Sequence, residues 1–205
     1  MCAHSSRYAG EVAPPPPSSG RAAPLPPAER RAAIVRSVLP LLIERGQAVT
    51  SQELADAAGV SEGTIFNVFG SKDDLLAAAL DSALEQEPFE RAVEAIDHNQ
   101  PFVDQLTAAT ELIQHRIVDV WRLISGIGSS HQRHERPLPP SPALTAVLMR
   151  HHDRITADPA EAARLLRALT LSLTHPLLTA QAVGADRIVE VFLNGVGRHE
   201  RTTGP

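Results

Sequence analysis

Lys72 is the only lysine in the chain. It closes the segment GVSEGTIFNVFGSK, residues 59–72, and is followed directly by Asp73 and Asp74. Within that segment Ser61, Thr64 and Asn67 offer two hydroxyls and an amide, and Gly63 offers bare backbone. These groups make no reaction centre. They can bond phosphate oxygens, and an asparagine can pair bidentately with adenine in a major groove. Gly63 is costly in a short helix unless another surface must come near its backbone.

The other reactive residue types lead nowhere comparable. Among nine histidines, His131 and His134 have i, i+3 spacing but sit in a proline-rich stretch without a third ligand, and His151 and His152 are adjacent and point apart on a helix. No metal and no cofactor are expected. No Ser/His/Asp set, phosphate loop or dinucleotide fingerprint is present, so no catalytic residue is assigned. The single cysteine, Cys2, cannot form an internal disulfide, which fits a reducing cytosol.

The elements that must position Ser61 to Lys72 read as helix, turn, helix over 51–68. Thr50 and Glu53 make a capping box for the first helix. Gly59 supplies the turn, and Ser61 caps the second helix. Ser71 with Asp74 starts the next. Leu54, Ala58, Val60, Ile65 and Val68 fall where these helices face one another. Glu62, Gly63, Thr64, Phe66 and Asn67 lie on the outer side and are small, polar or flat, which suits a groove. Together these signals point to a DNA-binding helix-turn-helix; a plain helical hairpin in a bundle is the other reading.

The rest of the composition frames this unit. Apolar residues make up 43% of the chain but aromatics only 3%, so the core must come from Leu, Val, Ile and Ala, as in an all-helical fold. The net charge of −5 excludes nucleic-acid binding by bulk charge. Residues 1–27 are rich in Pro, Ser, Ala and Gly and read as a disordered tail without the apolar core of a secretion signal. No apolar run is long enough to span a membrane. Helices are expected at about 28–46, 51–58, 62–68, 72–85, 88–96, 101–127, 142–157, 159–182 and 185–199, with a loop over 128–142. Pro40 should kink the first helix and Pro176 should bend the penultimate one.

TSQELADAAGVSEGTIFNVFGSKDDLL resembles the N-terminal domain of TetR-type bacterial transcriptional regulators. Thr50, Ala55, Ala58, Gly59, Val60, Ser61, Thr64, Ile65, Phe69, Ser71 and Lys72 match that family's pattern, and the likeness covers about residues 29–80. It implies a three-helix DNA-binding domain over 28–80, an effector-binding and dimerisation domain over 81–200, and a short tail, 201–205. It places Thr50, Ser51, Gln52, Ser61, Glu62, Gly63, Thr64, Phe66, Asn67 and Lys72 at DNA, with Lys72 on a phosphate. Two departures matter: the family usually has Tyr at Phe66 and commonly Tyr or His at Val68, so one or two phosphate contacts should be missing. Residues 28–80 carry five cations (Arg30, Arg31, Arg36, Arg45, Lys72) against seven acids (Glu29, Glu44, Glu53, Asp56, Glu62, Asp73, Asp74). Affinity must then rest on backbone N–H groups and a few placed cations.

In 101–127, Phe102, Leu106, Ile113, Ile117, Val120, Ile124 and Ile127 centre a broad apolar arc, with Trp121 and Leu123 on opposite margins. Arg116 falls inside it, either as an ion-paired or snorkelling side chain or as a pocket cation. A mainly apolar effector pocket is expected between 72–85, 101–127 and 142–157, lined by Arg116, Val120, Trp121, Ile124 and Met149. Helices 159–182 and 185–199 are apolar on two sides. By the resemblance, Leu166, Thr170, Leu173, Leu177, Ile188 and Phe192 should hold a second copy.

The reading is a homodimeric bacterial, cytoplasmic regulator, most simply a repressor, on a palindromic double-stranded operator, released by a small molecule. Two others remain: a small-molecule-binding helical protein or enzyme whose hairpin is only structural, and a DNA-binding regulator without an effector.

Overall fold

The computed structural model describes residues 26–127 and 139–196. Most of the tail over 1–27, most of the loop over 128–142 with His131 and His134, and residues 197–205 lie outside that range. The described residues fold as helices, turns and loops, without a strand.

Helix α1, Pro27–Arg45, starts with a proline at its first position, where the missing N–H costs nothing, and buries Ile34, Val35, Val38 and Leu42. It runs on through Pro40, which is exposed. Helices α2, Ser51–Ala58, α3, Glu62–Phe69, and α4, Lys72–Leu84, pack around it. Their joint core includes Leu54, Ile65, Phe69, Leu75 and Leu76.

The second core is built by α5, Glu87–Glu94, α6, Phe102–Ile127, α7, Pro142–Arg150, α8, Pro159–Thr174, and α9, Ala185–Val196. Phe89, Phe102, Leu106, Leu144, Leu148, Leu166, Ile188 and Phe192 meet there. Helix α6 joins the two cores. Its first turns bury Phe102, Leu106 and Ile113 in the second, whereas Leu123, expected only at the margin of the arc, is buried in the first. The breadth of the α6 arc therefore reflects two successive cores on one rod.

Two predicted helices are shorter. The 142–157 helix stops at Arg150, and His152–Arg154 form a separate tight turn. His151 leaves the helix to stack on Phe102, 4.5 Å between ring centroids, and Ile155 enters the core in extended conformation. Pro176 ends the 159–182 helix instead of bending it. A residue before proline is pushed out of helical conformation, and His175 is extended, with φ −70° and ψ 126°. The chain then folds back, and the Val183 N–H bonds to the Leu173 carbonyl at 3.0 Å.

The dimerisation set must be revised accordingly. Leu166, Thr170, Ile188 and Phe192 are buried inside the single chain, and Leu173 is half-buried against the same core. Leu177 is exposed but lies beyond α8, in the turn after Pro176. Among the described residues, the large apolar side chains that α8 and α9 leave exposed are Leu165 and Val191, 44% and 39% exposed.

Candidate nucleic-acid interface

The α2–α3 unit is fixed by its own side chains. Thr50 Oγ1 accepts from the Glu53 N–H at 3.2 Å, and the Thr50 N–H donates to Glu53 Oε2 at 2.8 Å, the reciprocal capping box. Arg45 donates to Glu53 Oε1 at 2.6 Å. The Thr50 backbone bond, then Arg45, then the Thr50 hydroxyl hold the Glu53 carboxyl at a pKa of about 2, against 4.5 ordinarily. A depressed carboxyl contributes stability that is complete above the unfolded value and fades as pH falls from about 4.5 towards 2. The stability difference between wild type and Glu53→Gln should therefore be constant above that window and shrink within it. Urea titrations at several pH values would read this, and a difference that grows on acidification would refute it.

Gly59 makes the turn. Its φ is +65°, and the N–H groups of Gly59 and Val60 bond the carbonyls of Asp56 and Ala55, closing α2 with a left-handed residue that glycine adopts most cheaply. Ser61 then caps α3 through the Thr64 N–H at 3.2 Å, and its hydroxyl lies 2.8 Å from Thr64 Oγ1. Ile65 and Phe69 turn inward. Ser61, Glu62, Gly63, Phe66 and Asn67 are exposed, and Thr64 is partly so. Thr50 and Gln52 are exposed and Ser51 is half-buried at the start of α2. The sequence-predicted contact residues of α2 and α3 are thus each wholly or partly accessible. Phe66, 41% exposed, is the large apolar side chain among them.

Lys72 behaves differently from the solvated cation of a helix start. It is half-buried, and its ammonium donates to the carbonyl of Val49, tying the first turn of α4 to the segment before α2. That carbonyl offsets the mild penalty of a cation at a helix N-terminus.

One residue that the sequence did not mark is Arg31. Its guanidinium donates to the Val68 carbonyl at 3.2 Å and lies 4.4 Å over the Phe69 ring. A cation at the C-terminal end of α3 suits the helix dipole, and the contact ties the last turn of α3 to α1. The i, i+37 separation gives no local signal for it.

Among the described residues, no group of three or more His, Cys, Asp or Glu side chains could hold a metal, and no helix is long and apolar enough to cross a membrane.

An open cleft of about 760 Å³ lies between the two cores. Val35, Leu39 and Arg31 of α1, Ala83 beyond mid-α4, Phe89 of α5, and Leu112, Arg116 and Val120 of α6 line it. Of the predicted ligand residues it gathers Arg116 and Val120. Trp121 instead meets His175, 4.7 Å between ring centroids, and neither it nor Ile124 nor Met149 lines this cleft. The predicted location beside α7 differs because α7 packs on α8 and α5, with Leu144, Val147 and Leu148 fully buried.

A capped helix-turn-helix with a small, polar outer face on an all-helical body defines a DNA-binding transcriptional regulator. The model of bacterial regulatory proteins of the tetR family matches residues 35–79, and through this segment the chain is similar to that family. Its fold is similar to that of a TetR transcriptional regulator from Streptomyces coelicolor, at 20% identity over 83% of this chain and 99% of that one, with a TM-score of 0.52. It is also similar to a structure described for the control of antibiotic production by bacterial hormones, at 19% identity over 83% and 98%, with a TM-score of 0.54. No curated protein matches the chain significantly.

Proposed function

We propose that the protein is a homodimeric repressor without enzymatic activity, working in the bacterial cytoplasm on a palindromic operator that a small molecule releases. The observation that carries this is the exposed face of α3, where Gly63, Thr64, Phe66 and Asn67 stand clear of the core while Ile65 and Phe69 anchor the helix. Two copies would present two such helices to successive major grooves, and an effector would favour a spacing that no longer fits. Thr50, Ser51, Gln52 and Ser61 would bond phosphates at the helix starts, and Glu62 would border the groove. Selection of bound sequences from random DNA tests the core of the proposal: a palindromic motif is expected, and recovery without enrichment would refute it.

Asn67→Ala should alter that motif at one base pair per half-site, with a loss of about 1–3 kcal/mol confined to it. An unchanged selected motif would remove Asn67 from base recognition. For Lys72, the Val49 tie and a phosphate contact give separable outcomes. Lys72→Ala should weaken binding alike for all sequences and lower the salt slope by about one unit. A lower melting temperature with an unchanged slope would leave only the tie.

A further inference from the structure

The inter-core cleft and the recognition helix share a residue. Arg31 lines the cleft and also holds the last turn of α3, through the Val68 carbonyl and the Phe69 ring. Whatever draws its guanidinium into the cleft must loosen that hold.

The cleft's chemistry is set by what is buried in it. Asp81, Glu85 and Arg36 are exposed at its rim, and Arg91 is paired with Glu87 at 3.0 Å. The less exposed ionic groups are Arg31, Arg116 and Asp119, two cations against one anion. Arg116 donates to the Leu84 carbonyl at 2.7 Å, and its guanidinium carbon lies 5.5 Å from the Phe89 ring centroid. A guanidinium has five N–H donors, and this carbonyl is the hydrogen-bond partner Arg116 has among the described residues. Burial, and then the neighbouring Arg167 guanidinium, push its pKa below the ordinary arginine value, against a smaller opposing pull from Glu90. Glu90 accepts from the Ala143 N–H at 2.8 Å and from Gln86. A cation so placed favours an anion. The apolar walls, Val35, Leu39, Phe89, Leu112 and Val120, favour a hydrocarbon body behind it.

We propose that this cleft binds an amphipathic organic anion, a carboxylate on an apolar chain or ring, with Arg116 taking the anion and Arg31 transmitting occupancy to α3. This rests on the effector reading above and names its ligand class and its relay. The anion draws Arg31 from the Val68 carbonyl, and α3 loses a contact that ties it to α1, so that its angle on α1 changes. The coupling is reciprocal: operator DNA, which requires that angle, weakens the anion's binding by the same factor.

The probes are decanoate, decan-1-ol and decylamine, each below its micellar concentration, added to the full-length protein with and without a selected operator. Decanoate should raise the melting temperature and bind about tenfold or more tighter than decylamine, and Arg116→Gln should remove that preference, since a charge-assisted bond is lost. In wild type, decanoate should shift the Arg31 side-chain resonance and the amides of residues 66–70, and release the operator. In Arg116→Gln those resonances should stay still. Arg31→Lys should still bind decanoate but release DNA at least several-fold less efficiently. Tighter binding of decylamine or decan-1-ol, or no binding of decanoate, overturns the anionic class. Decanoate binding with unmoved Arg31 resonances, or full release from Arg31→Lys, overturns the relay. Release by decan-1-ol that ignores both arginines keeps the effector reading and overturns this inference. Movement of Arg31 with no loss of DNA affinity overturns the regulatory reading itself.

Discussion

Phe192→Asp is expected to unfold the C-terminal core. Phe192 is 4% exposed and packs in the cluster that holds Leu106, Ile113, Leu166 and Ile188. Removing a buried phenylalanine costs about 3–5 kcal/mol, and a carboxylate in its place adds several more because a charge there loses its water. The sum is comparable with the roughly 5–15 kcal/mol that separates folded from unfolded states of a domain. Circular dichroism should show the loss of most of the helix signal, or a melting transition lowered by tens of degrees. The α6 helix enters both cores, so the helix-turn-helix should weaken as well. A variant that stays fully helical, melts like wild type and merely becomes monomeric would show that Phe192 faces a second copy after all.

That expectation differs from the one the resemblance implied, and the reason is physical. Helical spacing tells which residues share a face but not which face meets its own chain. In α8, Leu166, Leu169, Thr170 and Leu173 recur at helical spacing and look like a contact stripe, and they are one. The contact is with α6, α7 and α9 of the same chain. By contrast, the helix-turn-helix was legible almost residue by residue. Its determinants are local: a capping box within four residues, a glycine at a left-handed turn, and serine caps on α3 and α4. Local chemistry can be read from adjacent letters. Arg31 holding Val68, Lys72 holding the Val49 carbonyl and Arg116 holding the Leu84 carbonyl join residues 37, 23 and 32 apart, and no adjacent letters encode them. The end of α8 lay between these cases. Pro176 was visible, but a proline can kink a helix or stop it, and the fold-back that brings Val183 to Leu173 decides for the stop.

Leu165→Asp combined with Val191→Asp is expected to separate the proposed dimer while leaving each subunit folded, and to remove most operator affinity. Both residues lie on the outer sides of α8 and α9, and Ala168 and Ser172 continue the Leu165 stripe with small side chains that let another helix come close. Substitutions at exposed positions usually change subunit stability by within about 0.5 kcal/mol, so the fold should survive. In a two-fold interface each change occurs twice on a self-complementary surface, which brings four new carboxylates together. Each half-site then binds alone. Loss of linkage between two binding units can lower apparent affinity by about 10²–10⁴-fold without touching a single DNA contact. Sedimentation should show a monomer with native helix content, and titration on the selected operator should show binding with the half-site's weaker affinity. Restoring the link by a covalent tether between two subunits should recover much of the loss, because the tether replaces what the interface supplied. A double variant that stays dimeric with wild-type affinity would move the interface away from α8 and α9. A monomer that binds the full operator as tightly as wild type would show that the two half-sites are not read together.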